Sequence, residues 1–161
     1  HQEFGPLSLH IEHLSGRVEI DTLLLTAGVW RIPGPGESLT LPATAFFHAG
    51  YGDLEGGTIH LRRRYDAKDG IWYGPKLPLV PGIFDVELHF ESVPGDGVPL
   101  GDLVVGTGAR QETVCAVVSG EPARGHIEVE ANTPLRFAFH YNRGGDMTLR
   151  ELVLTRRGDT P

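Results

Sequence analysis

Cysteine is almost absent from this sequence: Cys115 is the only one among 161 residues. An internal disulfide is therefore excluded, and the apolar neighbours at 113–118 predict a buried small side chain rather than a reactive thiol. Long apolar runs are missing as well. No stretch approaches the roughly 18 apolar residues of a membrane-spanning helix, and no signal peptide is recognisable. We therefore expect no membrane insertion.

Positive charge is also scarce. The chain carries 14 Lys and Arg against 21 Asp and Glu, which gives a formal net charge of -7. Because an acidic protein repels polyanions, we expect no nucleic-acid partner. The one basic cluster, at 62–64, lies in a strand-like run and does not reverse this balance.

Helical periodicity is missing, whereas period-two alternation of apolar and polar residues recurs. Apolar and polar residues alternate over 84–91, a run that has a Pro-Gly turn at each end. They alternate in the same way over 126–131 and 135–141. The 22 Gly and 12 Pro are dispersed between such runs, as frequent turns require. This pattern predicts an all-β fold, an antiparallel β-sandwich of the jelly-roll type. The inward residues of the three runs form the predicted core: Phe84, Val86, Leu88, Phe90, Ile127, Val129, Phe137 and Phe139.

The order of these runs also predicts two hairpins. One joins 126–131 to 135–141, and the other joins 135–141 to 147–154. Within the last run the alternation changes phase between Leu149 and Leu152, as a β-bulge would cause. Weaker strands are predicted at 7–11, 17–24, 28–32, 38–41, 58–65, 103–105 and 113–118.

No internal repeat, linker or low-complexity segment divides the chain, and its length suits one domain. We therefore expect a single β-sandwich domain over 1–161. The chain begins His-Gln-Glu-Phe without an initiator methionine. We therefore expect that the chain is processed, is excised from a larger protein, or begins with residues from an expression vector.

One segment carries a recognisable order of residues. Trp72-Tyr73 is followed by Gly74-Pro75, by apolar residues, by Pro81-Gly82 and then by the alternating run. This order resembles the jelly-roll modules that accompany glycosyltransferase and methyltransferase domains in bacterial polysaccharide-assembly proteins. The resemblance extends over roughly 56–157. Lys76 departs from it, because an aromatic residue is typical at that position.

The resemblance implies a carbohydrate-binding module attached to a catalytic domain of the same parent protein. It leaves the bacterial cytoplasm and the cell surface both open as the compartment. It implies carbohydrate binding more by architecture than by an invariant site, and a fold alone does not fix a function.

The candidate ligand-binding residues begin with three aromatic side chains. Trp72 and Tyr73 are adjacent on a strand end, so they point to opposite faces, one toward the core and the other toward solvent. An exposed ring offers a flat apolar face against which a pyranose can stack. Tyr51 lies between glycines in a predicted loop, where it could serve the same purpose. The alternative for all three is ordinary core or turn packing.

A row of hydrogen-bond donors forms the second part of the predicted site. His60, Arg62 and Arg64 fall on one face of a predicted strand. Such a row could bind sugar hydroxyls or the carboxylate of an acidic sugar. A turn at 66–70 would return the chain to the aromatic pair, so that a hairpin brings donors and rings into one site. The alternative is a solvated face paired with acidic residues of a neighbouring strand.

Metal-ligating patterns are weak. His10 and His13 are three residues apart, which in a strand sends the two rings to opposite faces, and no helical zinc motif is present. Oxygen ligands in loops suit a structural calcium ion better. Its candidate ligands are Asp53, Glu55, Asp146 and Glu151. We expect no other cofactor.

Three functions are compatible with these patterns. The first is a non-catalytic carbohydrate-binding module that holds a glycan by aromatic stacking and polar contacts. The second is a structural or protein-interaction sandwich without a small ligand. The third is a small jelly-roll enzyme acting on polysaccharide. No catalytic residue is predicted, because a nucleophile elbow, a phosphate loop and a dinucleotide glycine fingerprint are all absent from the sequence.

Overall fold

The computed structural model describes residues 31–53, 56–64, 72–93, 95–107, 110–130 and 134–158. The predicted strands at 7–11 and 17–24, and most of the one at 28–32, lie outside these ranges. The strands are β1 (Ser38–Pro42), β2 (Phe47–His48), β3 (Tyr51–Asp53), β4 (Thr58–Leu61), β5 (Trp72–Tyr73), β6 (Gly82–Val93), β7 (Pro99–Gly106), β8 (Gln111–Val118), β9 (Ala123–Val129), β10 (Arg136–Tyr141) and β11 (Asp146–Arg156), with a single 3-10 turn at Ala43–Ala45. Within the described residues, no helix is long and apolar enough to cross a membrane.

The strands form two antiparallel sheets. The six-stranded sheet has the order β3-β4-β11-β6-β9, and β1 pairs with β11 beside β4. The five-stranded sheet has the order β2-β5-β10-β7-β8. From β4 onward the chain passes from one sheet to the other at each connection, except between β7 and β8. The resulting orders β4-β11-β6-β9 and β5-β10-β7-β8 are those of a jelly roll, so the predicted fold class is confirmed.

The two predicted hairpins are wrong. β9 and β11 belong to the six-stranded sheet, whereas β10, which lies between them in sequence, belongs to the five-stranded sheet. Each connection therefore crosses the core instead of turning back beside its own strand. The predicted bulge is confirmed, because the β6–β11 register shifts between Leu149 and Glu151.

The core lies between the two sheets and contains all eight predicted residues. Seven of them are buried, and Phe90 is half-buried against the cluster. The largest buried ring is that of Trp72, which stacks on Phe46 with ring centroids 3.9 Å apart and an interplanar angle of 21°. The indole Nε1–H of Trp72 donates a hydrogen bond to the carbonyl of Ala43 at 2.9 Å. This hydrogen bond satisfies the polar end of a side chain that is otherwise enclosed.

Candidate functional site

The predicted ligand-binding residues divide between the two sheets. Tyr51 lies opposite His60 in the β3–β4 register of the six-stranded sheet, and Arg62 and Arg64 follow β4. Trp72 and Tyr73 form β5 in the five-stranded sheet. β4 and β5 therefore do not pair as a hairpin. Because the outer faces of a sandwich point in opposite directions, the predicted hairpin site is wrong. The ligand-binding role of each residue stays a prediction.

The two members of the aromatic pair point to opposite faces, as the sequence predicts. Trp72 is fully buried, so core packing accounts for it. Tyr73 leaves 39% of its surface exposed on the outer face of the five-stranded sheet. Of the two rings, only that of Tyr73 can meet a ligand.

A second exposed ring lies beside Tyr73. Phe47 of β2 is opposite Tyr73 in register, is 59% exposed, and stacks on it with ring centroids 5.4 Å apart and an interplanar angle of 23°. The guanidinium carbon of Arg136 lies 5.7 Å from the centroid of the Tyr73 ring, within cation–π range. Since β5 lies between β2 and β10, Phe47 and Arg136 approach Tyr73 from its two sides. We call these three residues the aromatic platform.

Small side chains continue the same row across the sheet. Ala138 of β10 is opposite Tyr73, and Val104 of β7 is opposite Ala138. Both have little exposed surface, yet neither belongs to the core cluster, because they lie on the outer face. Residues in register on one face of a sheet are neighbours. The two large rings at the sheet edge are therefore followed by the small apolar side chains of Ala138 and Val104.

Phe47 and Arg136 are not among the site residues predicted from the sequence. A signal for Phe47 exists, because Phe46-Phe47 is a second pair of adjacent aromatic residues. Phe46 is buried and Phe47 is exposed, as in the pair formed by Trp72 and Tyr73. The signal for Arg136 is its position on the polar side of the alternating run at 135–141.

The predicted donor row borders a surface cleft at one end of the six-stranded sheet. The cleft has a volume of about 520 Å³, and its lining includes His60, Arg62, Glu91, Asp146 and Thr148 but not Arg64. His60 Nδ1 lies 2.9 Å from the hydroxyl oxygen of Thr148. Asp146 accepts a hydrogen bond from the backbone N–H of the residue after Arg62 at 2.8 Å. Glu91 pairs with a neighbouring arginine. Most polar groups of the cleft therefore already have protein partners.

The rest of the outer face of the six-stranded sheet carries charges that pair with each other. Its ion pairs are Asp85–Arg157, Glu87–Arg124, His89–Glu151 and Glu91–Arg150. Hydrogen bonds from the guanidinium of Arg157 hold the pKa of Asp85 below its usual value. A hydrogen bond to Glu151, helped by a second one to Glu87, raises the pKa of His89. The sequence offered such a solvated, cross-strand-paired face as the alternative for the donor row, but these four pairs include no residue of that row.

The calcium candidates that lie in the described ranges each have a protein partner. Asp53 accepts a hydrogen bond from the backbone N–H of Gly56 at 3.1 Å, Asp146 accepts one from a backbone N–H, and Glu151 binds the His89 ring. Glu55 lies outside the described ranges. Over the part of the chain that the structure describes, no three His, Cys, Asp or Glu residues come together as a metal site.

The thiol of Cys115 has the properties of a packing group. Cys115 is half-buried against the core. Its burial, with the nearby charge of Asp102, raises the pKa of the thiol. A nucleophilic cysteine has a lowered pKa, so this environment opposes a reactive role.

Comparison with known proteins finds likeness at the level of solved structures. No family model and no curated protein matches the chain. One similar structure contains the CBM22-1 and GH10 modules of the Clostridium thermocellum endo-1,4-beta-D-xylanase 10B with xylohexaose, at 15% identity and a TM-score of 0.44, over 77% of this chain and 27% of that one. Another is a family two carbohydrate esterase from Cellvibrio japonicus, at 13% identity and a TM-score of 0.46, over 78% of this chain and 35% of that one. This chain thus spans about a third or less of either structure, and likeness at this level assigns it no ligand and no site.

Proposed function

We propose that this chain is a non-catalytic carbohydrate-binding module that holds a glycan on the aromatic platform of the five-stranded sheet. The observation that carries the proposal is the pair of stacked, exposed rings of Phe47 and Tyr73 on one outer face. Two large rings held side by side in solvent are costly to leave uncovered, and such apolar patches mark contact surfaces. Sugars can cover them with the apolar C–H face of a pyranose.

The platform has the mixture of groups that sugar binding requires. The rings supply apolar contact area at a low cost in side-chain entropy, because each has only two rotatable bonds. Arg136, beside Tyr73, supplies donors for sugar oxygens. The binding surface is open and replaces good hydrogen bonds to water, so the affinity should be modest.

The cleft of the six-stranded sheet is the weaker candidate for the same role. Its volume suits a small ligand. However, its carboxylates and histidine already contact other groups of the protein, and a ligand would have to displace those contacts. On the platform, the face of Phe47 that does not contact Tyr73 is open and requires no such exchange.

The parent protein forms a further part of the proposal. The order of residues from Trp72 to Pro81-Gly82 resembles modules that accompany glycosyltransferase and methyltransferase domains. We infer that the module holds a polysaccharide near a catalytic domain of the same bacterial parent protein. Weak binding suits this role, because a tethered second site raises the effective concentration of ligand.

The test is glycan retention measured by a glycan array and by affinity electrophoresis in polysaccharide gels. Phe47→Ala and Tyr73→Ala should each lose most of the glycan retention. Both variants should keep a melting temperature close to that of the unmutated chain. Val93→Ala is the matched control, because Val93 is 68% exposed and lies in the six-stranded sheet. This control should bind like the parent.

Two outcomes would overturn the proposal. If the unmutated chain retains no glycan, the platform is an interface for another protein. The protein-interaction module then replaces the carbohydrate-binding module as the function. If Val93→Ala loses retention while the two platform variants keep it, the glycan binds in the cleft, which Val93 also lines.

A further inference from the structure

Two exposed cations, Lys76 and Arg136, each lie next to a residue of the same isolated backbone bridge. Leu77 and Leu135 form an antiparallel bridge, in which each backbone N–H donates to the other residue's carbonyl, at 2.7 and 2.9 Å. The next residues in this register are therefore Lys76 and Arg136. Alternation directs them away from the leucines, and both are exposed. Arg136 is also the residue whose guanidinium lies over the ring of Tyr73.

Neither cation is neutralised within the described part of the chain. No Asp or Glu side chain there forms an ion pair with Lys76 or Arg136. On the six-stranded sheet, by contrast, Arg124, Arg150 and Arg157 each pair with a carboxylate. This chain has seven more acidic than basic side chains, so a shortage of carboxylates does not explain the absence of a partner. The missing counter-charge is one that a ligand can supply.

We infer that the platform takes an acidic polysaccharide, with one sugar carboxylate bound by Arg136 and Lys76 on one side of Tyr73 and another sugar of the same polymer stacked on the open face of Phe47 on the other side. This inference rests on the proposed function and names the class of its ligand. The planar guanidinium fork matches the two oxygens of a carboxylate, and the lysine ammonium adds a point charge. The cation–π contact with Tyr73 restrains Arg136 beside the rings, so that less side-chain freedom is lost on binding. A uronic acid offers both the carboxylate and a stacking face.

The experiment compares acidic polysaccharides with their own neutral forms. Polygalacturonate and alginate are each tested beside the carboxyl-reduced polymer, which keeps the sugar ring but loses the charge. Dextran sulfate is included because a sulfate ester offers the same negative charge without the planar carboxylate. Affinity is measured at low and at high salt with the intact chain.

Three charge variants accompany the parent protein. Arg136→Gln and Lys76→Gln remove the two cations, and Arg124→Gln removes one on the opposite sheet with the same change in net charge. We expect the parent to bind at least one acidic polymer about tenfold more tightly than its reduced form, as one charge-assisted hydrogen bond provides. Arg136→Gln and Lys76→Gln should each remove most of this preference, whereas Arg124→Gln should keep it. Raising the salt concentration should weaken the preference of the parent.

The outcomes separate this inference from the proposed function. If the parent binds neutral glycans on the array but prefers no acidic polymer, the acidic ligand is wrong and the carbohydrate-binding function stands. Equal effects of Arg136→Gln and Arg124→Gln would show that net charge, not this site, sets the preference. Tighter binding of dextran sulfate than of the carboxylated polymers would overturn the uronic acid assignment. If no glycan of any kind binds, the proposed function itself fails.

Discussion

Two stacked aromatic pairs lie on opposite sides of the five-stranded sheet at its β2–β5 edge. Phe46 and Trp72 stack inside the sandwich, and Phe47 and Tyr73, the next residue along in each case, stack outside it. The interplanar angles are similar, 21° and 23°, but the ring centroids are 3.9 Å apart in the inner pair and 5.4 Å apart in the outer pair. Burial also separates the pairs, because the inner rings are at most 3% exposed and the outer rings are 59% and 39% exposed. The closely packed inner pair therefore contributes to stability, whereas the looser outer pair leaves contact area for a ligand.

The largest effect on stability is expected when the larger ring of the inner pair is removed. Trp72→Ala should lower the free energy of unfolding by about 3–5 kcal/mol, because it opens a cavity and leaves the carbonyl of Ala43 without its indole donor. Tyr73→Ala should lower it by about 1 kcal/mol, because this partly exposed ring loses chiefly its stacking on Phe47. Urea denaturation of both variants beside the parent measures the difference. Similar losses from the two variants would contradict the distinction between the pairs.

A smaller effect is expected from Gly74, which lies directly after the two rings of β5. A Cβ added there would collide with the ring of Phe46. Gly74→Ala should therefore cost about 1–3 kcal/mol of unfolding free energy, as overpacking of a core does. Gly95→Ala is the control, because nothing lies within 4 Å of its added Cβ.

The same substitution also separates the inner pair from the outer pair. The collision at Gly74 occurs on the inner side of the sheet, so the folded variant should still retain glycan on Phe47 and Tyr73. The measurement is affinity electrophoresis at a temperature well below the melting transition. Loss of retention without loss of stability would show that the two pairs do not act independently.

Sequence patterns predict which way these side chains face but not which strands are neighbours. Alternation in β6 predicts the buried positions of Phe84, Val86 and Leu88, and adjacency predicts that Trp72 and Tyr73 point apart. A half-buried strand, however, buries its apolar face equally well in either sheet. Alternation therefore carries no information on pairing, and short loops between β9, β10 and β11 are mistaken for hairpins.

The candidate site shows the same limit. The donor row and the aromatic pair are close in sequence, but the chain changes sheet between β4 and β5, so their outer faces point apart. Phe47 escapes prediction for another reason. Its strand has two residues, which is too short for any periodicity to be recognised. Only the partner strand gives it a role, because Tyr73 lies opposite it in register.

The smallest expected effect concerns the paired charges on the outer face of the six-stranded sheet. His89 is held between Glu151, with Nδ1 2.8 Å from Oε1, and Glu87, with Nε2 3.3 Å from Oε2, while Glu87 also pairs with Arg124. The hydrogen bond to Glu151 is the main cause that raises the pKa of His89 above its ordinary value of 6.5. A raised pKa means that the folded state binds the proton more tightly than the unfolded state. The stabilisation is therefore complete below pH 6.5 and is lost as the pH rises through the higher pKa of the folded protein.

His89→Gln tests this expectation through its pH dependence. The variant should be less stable than the parent at pH 6, by under about 1 kcal/mol because the pair is half exposed, and the difference should shrink at pH 9. Glu151→Gln should show the same pH dependence, since it removes the main acceptor. Urea denaturation at the two pH values measures the difference in stability. A difference that stays constant or grows with pH would show that the charged groups of this face do not stabilise each other as their distances indicate.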